Sequence, residues 1–416
     1  MSIVKLFIIT PMKRFVIILI TCALLCSCNK ENAVVGTDIP YNPELLNSAT
    51  KSSLVSGSNL FSYKLLHSLL EQLGEKDTES LLISPLSCAM ELAAWTESGN
   101  IDNEKILSML GFSEGGREEL RDYCHSVMYD IPSLSQTTKC IMGNLLVVDS
   151  DQTETTKEFQ SNAAKYYDTE VASLPFNKPD NVVQYINSWA EKKTNGIIDG
   201  VVFKRDVENA AVYILSNVLY FNGAWTYPFY KNNTSKSDFT LENGKTTSVK
   251  MMKRNDFESD VKFPFGIGPC YSRLSLPYGN QAFHMDIFLP EEGYTVLDVT
   301  EYLAKNGRNE GYFSMTHPLE IQIPKFNIKN SLPLNDALNT LGGDAFAKTP
   351  FTISQIASMT IDENGTEAAA VTIQGMVGSP RPQPEPEPIR FIADHPFVFT
   401  ISAGGIVLFA GVYKGD

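Results

Sequence analysis

Residues 363–372 read Glu363-Asn364-Gly365-Thr366-Glu367-Ala368-Ala369-Ala370-Val371-Thr372, a composition suited to a segment with two states. Asn364-Gly365 supplies a hinge, because glycine reaches backbone conformations that other residues avoid. A strand of mostly small side chains follows. At a strand's period of two, one face carries Thr366, Ala368, Ala370, Thr372, Gln374 and Met376. The other carries Glu367, Ala369, Val371, Ile373, Gly375 and Val377. The first face is uncharged, so it can enter a core-facing position between existing strands. A charge or a proline at Thr366 or Ala368 would block that entry. Such a segment is a mechanical device, a loop that can become a buried strand. The competing reading is an ordinary alanine-rich surface loop.

Residues of catalytic type do not assemble into a known signature. The sequence contains no His-Glu-x-x-His. Gly244-Lys245-Thr246 ends like a phosphate loop, but Phe239 stands where its first glycine belongs. Glu242-Asn243-Gly244-Lys245 reads instead as a hairpin turn. The five histidines, His67, His125, His284, His317 and His395, lie far apart and suit structural or surface roles. His395, just before Pro396-Phe397, is expected to pack the end of a strand. Cys88, Cys124, Cys140 and Cys270 have no metal-ligand spacing. Two disulfides could form, but isolated buried thiols fit a chain of this length better. No metal or cofactor is expected, and a hydrolase assembled from distant residues is the third functional class considered.

The N-terminus carries a different chemistry. Met12-Lys13-Arg14 is a short basic region, and Phe15 to Leu25 is an apolar run too short to span a membrane comfortably. Leu25-Cys26-Ser27-Cys28 resembles a bacterial lipobox, which implies cleavage before Cys28 and lipid on its sulfur. Residues 1–27 are therefore read as a lipoprotein signal peptide, with Met1 or Met12 as the start. A plain secretory signal is the alternative. Lipid at Cys28 would anchor the protein to a membrane without spanning it. Residues 28–57 are polar, with Pro40 and Pro43, and read as a flexible tether.

The 416 residues allow two or three ordinary domains or one large one. The chain is 43% apolar and 20% charged, as globular proteins with a large core are. Loss of the signal removes Lys5, Lys13, Arg14 and no acid, taking the formal net charge from −14 to about −17. That acidity excludes nucleic-acid binding through phosphates and otherwise serves solubility.

The elements that must position the loop follow from periodicity. Ser58 is placed to cap a helix in which Leu60, Phe61, Leu65, Leu66, Leu69 and Leu70 recur at helical spacing. Leu81 to Ile83 is a short strand, and Ser84-Pro85-Leu86-Ser87 starts a second helix. Ile141 to Val148 is a buried strand; Glu158 to Lys165 and Val182 to Lys193 are helical. Val212 to Phe221 is too apolar for a half-exposed strand and belongs at the centre of a large sheet. Strands follow at Tyr271 to Leu276, Phe283 to Leu289 and Leu319 to Ile323, then a short helix at Leu334 to Leu341. Phe397 to Ile401 and Ile406 to Val412, joined by Ala403-Gly404-Gly405, close the chain as a hairpin. Helices first and mostly strands later make an α+β fold with a mixed or antiparallel sheet and no βαβ alternation.

Several of these blocks resemble the serpin family of protease inhibitors. They are Asn59-Leu60-Phe61, Ile83-Ser84-Pro85-Leu86-Ser87, Ile186-Asn187-x-Trp189 with Thr194, Gly196 and Ile198, and Ser216 to Phe229 with Asn217, Tyr220, Trp225 and Pro228. Pro324-Lys325-Phe326, Gly365-Thr366-Glu367-Ala368-Ala369-Ala370 and Asp394-His395-Pro396-Phe397 complete an ordered set spanning nearly all of residues 58–416. Glu97-Ser98-Gly99-Asn100 departs from the family's glycine-rich pattern, and Pro380 to Pro388 is longer and richer in proline than the family's loop. The resemblance implies about nine helices around three β-sheets, a large central sheet A, and an exposed reactive-centre loop at 362–390. It implies a hinge and insertion segment of Glu363, Gly365, Thr366, Glu367, Ala368, Ala369, Ala370 and Thr372.

It also implies a mechanism. A protease attacks a loop bond and forms an acyl-enzyme; the freed loop inserts into sheet A and drags the protease with it. A strand of about twelve residues, bonded on both sides, gains on the order of 10 kcal/mol before ordering entropy is subtracted. Distortion of the protease then stalls deacylation. Counting as in the family, with Gly365 fifteenth before the cut, puts the cut after Ser379. Pro380 disfavours that bond, so Met376, Val377, Gly378 and Ser379 are all candidates. A count back from Phe391 and Pro396 would put it later, in the proline run. A small or apolar residue there implies elastase-like, subtilisin-like or papain-like endopeptidase targets. The expected protein is a monomeric inhibitor, exported and lipid-anchored in the periplasm or at the cell surface. A non-inhibitory serpin-like binding protein is the alternative.

Overall fold

The apolar runs are paired and covered by helices in a computed structural model of the chain. It describes residues 40, 52–74, 79–99, 102–112, 116–151, 157–198, 200–210, 213–256, 261–308, 313–314, 319–346, 353–366 and 389–416. Among them nine α-helices occur: α1 (Ser52–Leu73), α2 (Pro85–Trp95), α3 (Asn103–Leu110), α4 (Gly116–Ser133), α5 (Lys157–Tyr167), α6 (Pro179–Lys193), α7 (Lys204–Asn209), α8 (Val296–Asn306) and α9 (Asn335–Gly342). The first strands are β1 (Leu81–Ile83), β2 (Lys139–Asp149), β3 (Thr169–Leu174), β4 (Tyr213–Ala224), β5 (Ser235–Thr240), β6 (Thr246–Asn255), β7 (Phe265–Ile267), β8 (Tyr271–Tyr278) and β9 (Phe283–Pro290). The later ones are β10 (Phe313–Ser314), β11 (Leu319–Pro324), β12 (Phe326–Pro333), β13 (Ser354–Asp362), β14 (Gly365–Thr366), β15 (Ile389–Ile392), β16 (Phe397–Ala403) and β17 (Ile406–Tyr413).

Three sheets result, ordered β1-β17-β16-β9-β8-β7-β10, β15-β11-β6-β5 and β12-β13-β14-β4-β2-β3. This is the α+β, three-sheet, nine-helix architecture that the family resemblance implied. The closing hairpin β16–β17 is buried at every position and sits inside the first sheet, between β9 and β1. The apolar run expected at a sheet centre is β4, which lies between β2 and β14 in the third. β2, α5 and β3 form one parallel strand–helix–strand unit, contrary to the expectation of no such alternation. The helix α5 is short and polar on one side, and the parallel register of its flanking strands is not visible in their sequence.

Local signals work as physics requires. Ser84 caps α2, its hydroxyl accepting from the Ser87 N–H at 3.3 Å, and Pro85 occupies the first turn where no N–H is needed. Ser58 does not cap α1; the helix begins at Ser52. Leu54 is buried in the core, and the Ser58 hydroxyl accepts from the Tyr123 hydroxyl at 3.0 Å. Tertiary packing, not intrinsic propensity, carries this polar turn into the helix. The segment departing from the family pattern has its own role. Glu97 is enclosed and takes a two-pronged bond from Arg121 at 2.8 and 2.6 Å, with the Tyr167 hydroxyl donating at 3.0 Å. Cys88, Cys124, Cys140 and Cys270 are separate buried thiols.

Candidate functional site

The hinge is built where β13 turns back into β14. Asn364 donates its N–H to the Asp362 carboxylate at 2.7 Å, the side-chain-to-backbone bond that closes a tight turn. Gly365 follows at φ +140°, a conformation closed to L side chains. A Cβ there would stand 2.1 Å from the Gly223 carbonyl oxygen. Glycine is thus required both by the turn and by the approach of β4.

Gly365 and Thr366 are then bonded on both sides. Thr366 stands opposite Ile361 of β13 and Gly223 of β4, and Gly365 opposite Asp362 and Ala224. Among the described residues, β4 and β13 are joined through β14 alone. Both continue past it, β4 back to Tyr213 and β13 back to Ser354. They form two rails antiparallel to β14. A strand continuing β14 in the same register would set position 373 beside Ser354 and position 376 beside Tyr213.

An aromatic cage fixes the entry. Trp225 donates its backbone N–H to Asn364 at 2.8 Å and its indole N–H to Asp362 at 2.9 Å, both to carbonyl oxygens. Its ring stacks on Tyr278 at 4.3 Å. The Tyr278 hydroxyl lies 2.7 Å from the Thr366 hydroxyl, and both residues are buried. Burial pushes the Tyr278 phenol well above its usual range, so it stays a neutral hydrogen-bonding group. Thr366 therefore enters a core-facing position, as the uncharged face of the segment requires.

Glu363 secures the turn from outside. Its carbonyl accepts from the Phe229 N–H at 2.9 Å. Its carboxylate accepts from Lys325 Nζ at 2.8 Å and from the Thr234 hydroxyl at 2.9 Å. Burial works to raise its pKa, but Lys325, its own backbone N–H and Thr234 hold it below the usual carboxylate value. Lys325 stood in one quoted block and Glu363 in another; nothing in the sequence said that they meet. Trp225, Tyr278, Phe229 and Thr234 were likewise not assigned to the hinge. Of these, only Trp225 and Phe229 lay in a quoted motif.

The structure brings together Glu363, Gly365 and Thr366 of the expected hinge. Glu367, Ala368, Ala369, Ala370, Thr372, the bond candidates Met376, Val377, Gly378 and Ser379, and Cys28 lie outside the described residues. Among the described residues the histidines do not converge: His67 bonds Thr300, His125 lies tilted against Tyr129, and His395 reaches Asp394 and the Pro290 carbonyl. Among the described residues no three His, Cys, Asp or Glu side chains could hold a metal ion.

Comparison with known proteins agrees with this geometry. The family described as Serpin (serine protease inhibitor) matches residues 56–414. An uncharacterized serpin-like protein of Methanosarcina mazei is 30% identical over 97% of this chain and 100% of the relative. Antichymotrypsin-2 of Bombyx mori is 25% identical over 80% of this chain and 92% of its own. The crystal structure of Serpin48, a highly specific serpin of the insect Tenebrio molitor, superposes with a TM-score of 0.73 at 22% identity, covering 88% of this chain and 98% of that one.

Proposed function

This chain belongs to the serpin family, and on that premise we propose that it is an inhibitory member. It acts as a suicide substrate of extracellular serine endopeptidases, and of papain-like cysteine endopeptidases by the same acyl chemistry. The observation that carries this reading is β14: the hinge is already paired on both sides between rails that continue beyond it. A binding protein whose loop never inserts has no use for such an entry.

The reaction begins as ordinary proteolysis. The protease nucleophile attacks a loop carbonyl after one of Met376, Val377, Gly378 or Ser379. The peptide bond breaks, the amine leaves with a proton, and an acyl-enzyme forms. The freed segment follows Thr366 between β4 and β13 with its uncharged face inward. Tension on the ester then pulls the protease nucleophile from its base and oxyanion hole, and water cannot complete hydrolysis. The inhibitor is consumed once.

We place the protein on a lipid anchor at Cys28, in the periplasm or at the cell surface, guarding the cell against foreign endopeptidases. Incubation with elastase, subtilisin, trypsin and papain, followed by a denaturing gel, tests the activity. A covalent band of combined mass with at least one of them is expected. Clean loop cleavage with all protease activity retained would exclude trapping.

A further inference from the structure

A half-buried acid that the inhibitory reaction does not use lies beside the path of insertion. Glu91 lies on α2, which packs against β4. Its carboxyl oxygen Oε1 accepts from the backbone N–H of Asn217 at 2.8 Å. The direction of that N–H is fixed by the strand. Trp225 sends its N–H to Asn364, on the β14 side of β4, and alternate residues of a strand share one side. The β2–β4 register runs without a break from Tyr213 to Asn222, so Asn217 points its N–H to the same side as Trp225. Glu91 thus reaches from behind the sheet to the edge that faces β13.

Register gives this place a meaning. Continued from Thr366, an inserting strand would put Thr372 opposite both Asn217 of β4 and Gln355 of β13. The same level is tied to α2 from the other rail. Gln355 accepts from the Ser84 N–H at 2.6 Å and donates to the Ser84 carbonyl at 2.9 Å. The start of α2 therefore grips β13, and its middle grips β4, at the level that the inserting strand crosses. The Asn217 side chain donates to Asn144 of β2, which leaves its backbone N–H to Glu91.

Glu91 is half-buried, and its surroundings disfavour charge. Burial pushes its carboxyl up to about 8, against the opposing pull of the Asn217 N–H. The titratable group coupled to it is Cys88, one turn away on α2, whose thiol is itself raised by burial and by Glu91. The elements packed against α2 also carry titratable groups, among them Tyr63 on α1, Glu97 just after α2, Tyr123 and Cys124 on α4, Tyr167 on α5, Tyr213 and Tyr220 on β4 and Tyr413 on β17. Burial and Asn217, not these, set the Glu91 carboxyl.

We infer that Glu91 is a plug in the insertion path: its carboxylate holds the N–H that the inserting strand must take, and it gives way as the neutral acid. This inference rests on the inhibitory reading above. Insertion breaks the Asn217 bond that favours the charged form and covers the carboxyl with another strand. Both changes favour the protonated acid, so above the Glu91 pKa insertion takes up a proton and slows as pH rises.

The test uses the full chain and a capped synthetic peptide of residues 366–377 carrying Glu367→Gln, so that the peptide has no charge. Peptide uptake is followed on native gels from about pH 7 to about pH 9.5. The wild type should take up peptide more slowly with rising pH, approaching about tenfold per pH unit above the midpoint. Glu91→Gln keeps the shape and the acceptor oxygen, and its uptake should be flat with pH. Equal pH dependence in the two proteins would overturn the role of Glu91 while leaving insertion intact. No uptake by either protein at any pH would overturn the insertion reading itself, and this inference with it.

Discussion

Replacing Thr366 with arginine should turn the proposed inhibitor into a substrate. The Thr366 side chain is 1% exposed, and its hydroxyl is 2.7 Å from that of Tyr278, which is wholly buried. An arginine here has two courses. It can bury an unpaired cation between β13 and β4, at a cost of about 3–5 kcal/mol. Or it can stay outside, leaving β14 unmade and the Tyr278 hydroxyl unpaired, at about 1–3 kcal/mol for that group alone. Either course penalises insertion and spares the peptide bond under attack. At about 1.4 kcal/mol per factor of ten, a penalty of about 4 kcal/mol slows insertion roughly a thousandfold relative to deacylation. Residual protease activity is measured against inhibitor added. The wild type should need about one equivalent; the Thr366→Arg variant should be cleaved and leave the protease active. Thr366→Val, which removes only the hydroxyl bond, should shift the partition by about tenfold or less. Unchanged stoichiometry in the arginine variant would refute insertion through this entry.

Two further perturbations probe the hinge. Gly365→Ala puts a Cβ 2.1 Å from the Gly223 carbonyl oxygen at a φ of +140°, so β14 should leave the sheet. The Trp225 and Phe229 amides, bonded to Asn364 and Glu363, should then exchange hydrogen about tenfold faster or more, and unchanged protection would contradict the geometry. Lys325→Met leaves the Glu363 carboxylate without its cation. With Lys325 a third exposed, the loss is about 1–2 kcal/mol, a fall in Tm of about 1–2 °C at neutral pH. The pH sign follows from the depressed Glu363 pKa. The pair contributes stability above the unfolded carboxyl value and loses it as pH falls through the folded one. The variant should therefore show a shallower decline of Tm in acid, and a parallel decline would show that the pair is not the cause.

Much of this architecture could be read from residues alone because the signals were local. Val212 to Phe221 carried no polar face, so only a sheet centre could take it, and β4 is there. The small residues after Gly365 suggest a strand, but from Glu367 to Pro388 they lie outside the described residues. What escaped notice was either weakly patterned or non-local. β13, which flanks the entry, and β12 beside it contain Lys329, Asn330, Ser354 and Gln355, polar residues that interrupt their apolar alternation. The start of α1 at Ser52 depends on Leu54 reaching the core, not on helix-forming residues. Glu363–Lys325 and Glu91–Asn217 each join residues distant in sequence, and only the sheet register brings them together. Nothing in the sequence marks Glu91; its meaning came from the direction of one N–H.

If a gap between two rails drives the trap, the cut chain must be more stable than the uncut one. Thermal unfolding of the intact protein, beside the same protein nicked in its loop by a protease that it does not trap, measures this directly. We expect the nicked form to melt higher, on the order of 10 °C or more, as the freed strand adds its ladder to β4 and β13. A nicked form that melts at or below the temperature of the intact protein would mean that cleavage releases nothing, and no pull on the acyl-enzyme could follow.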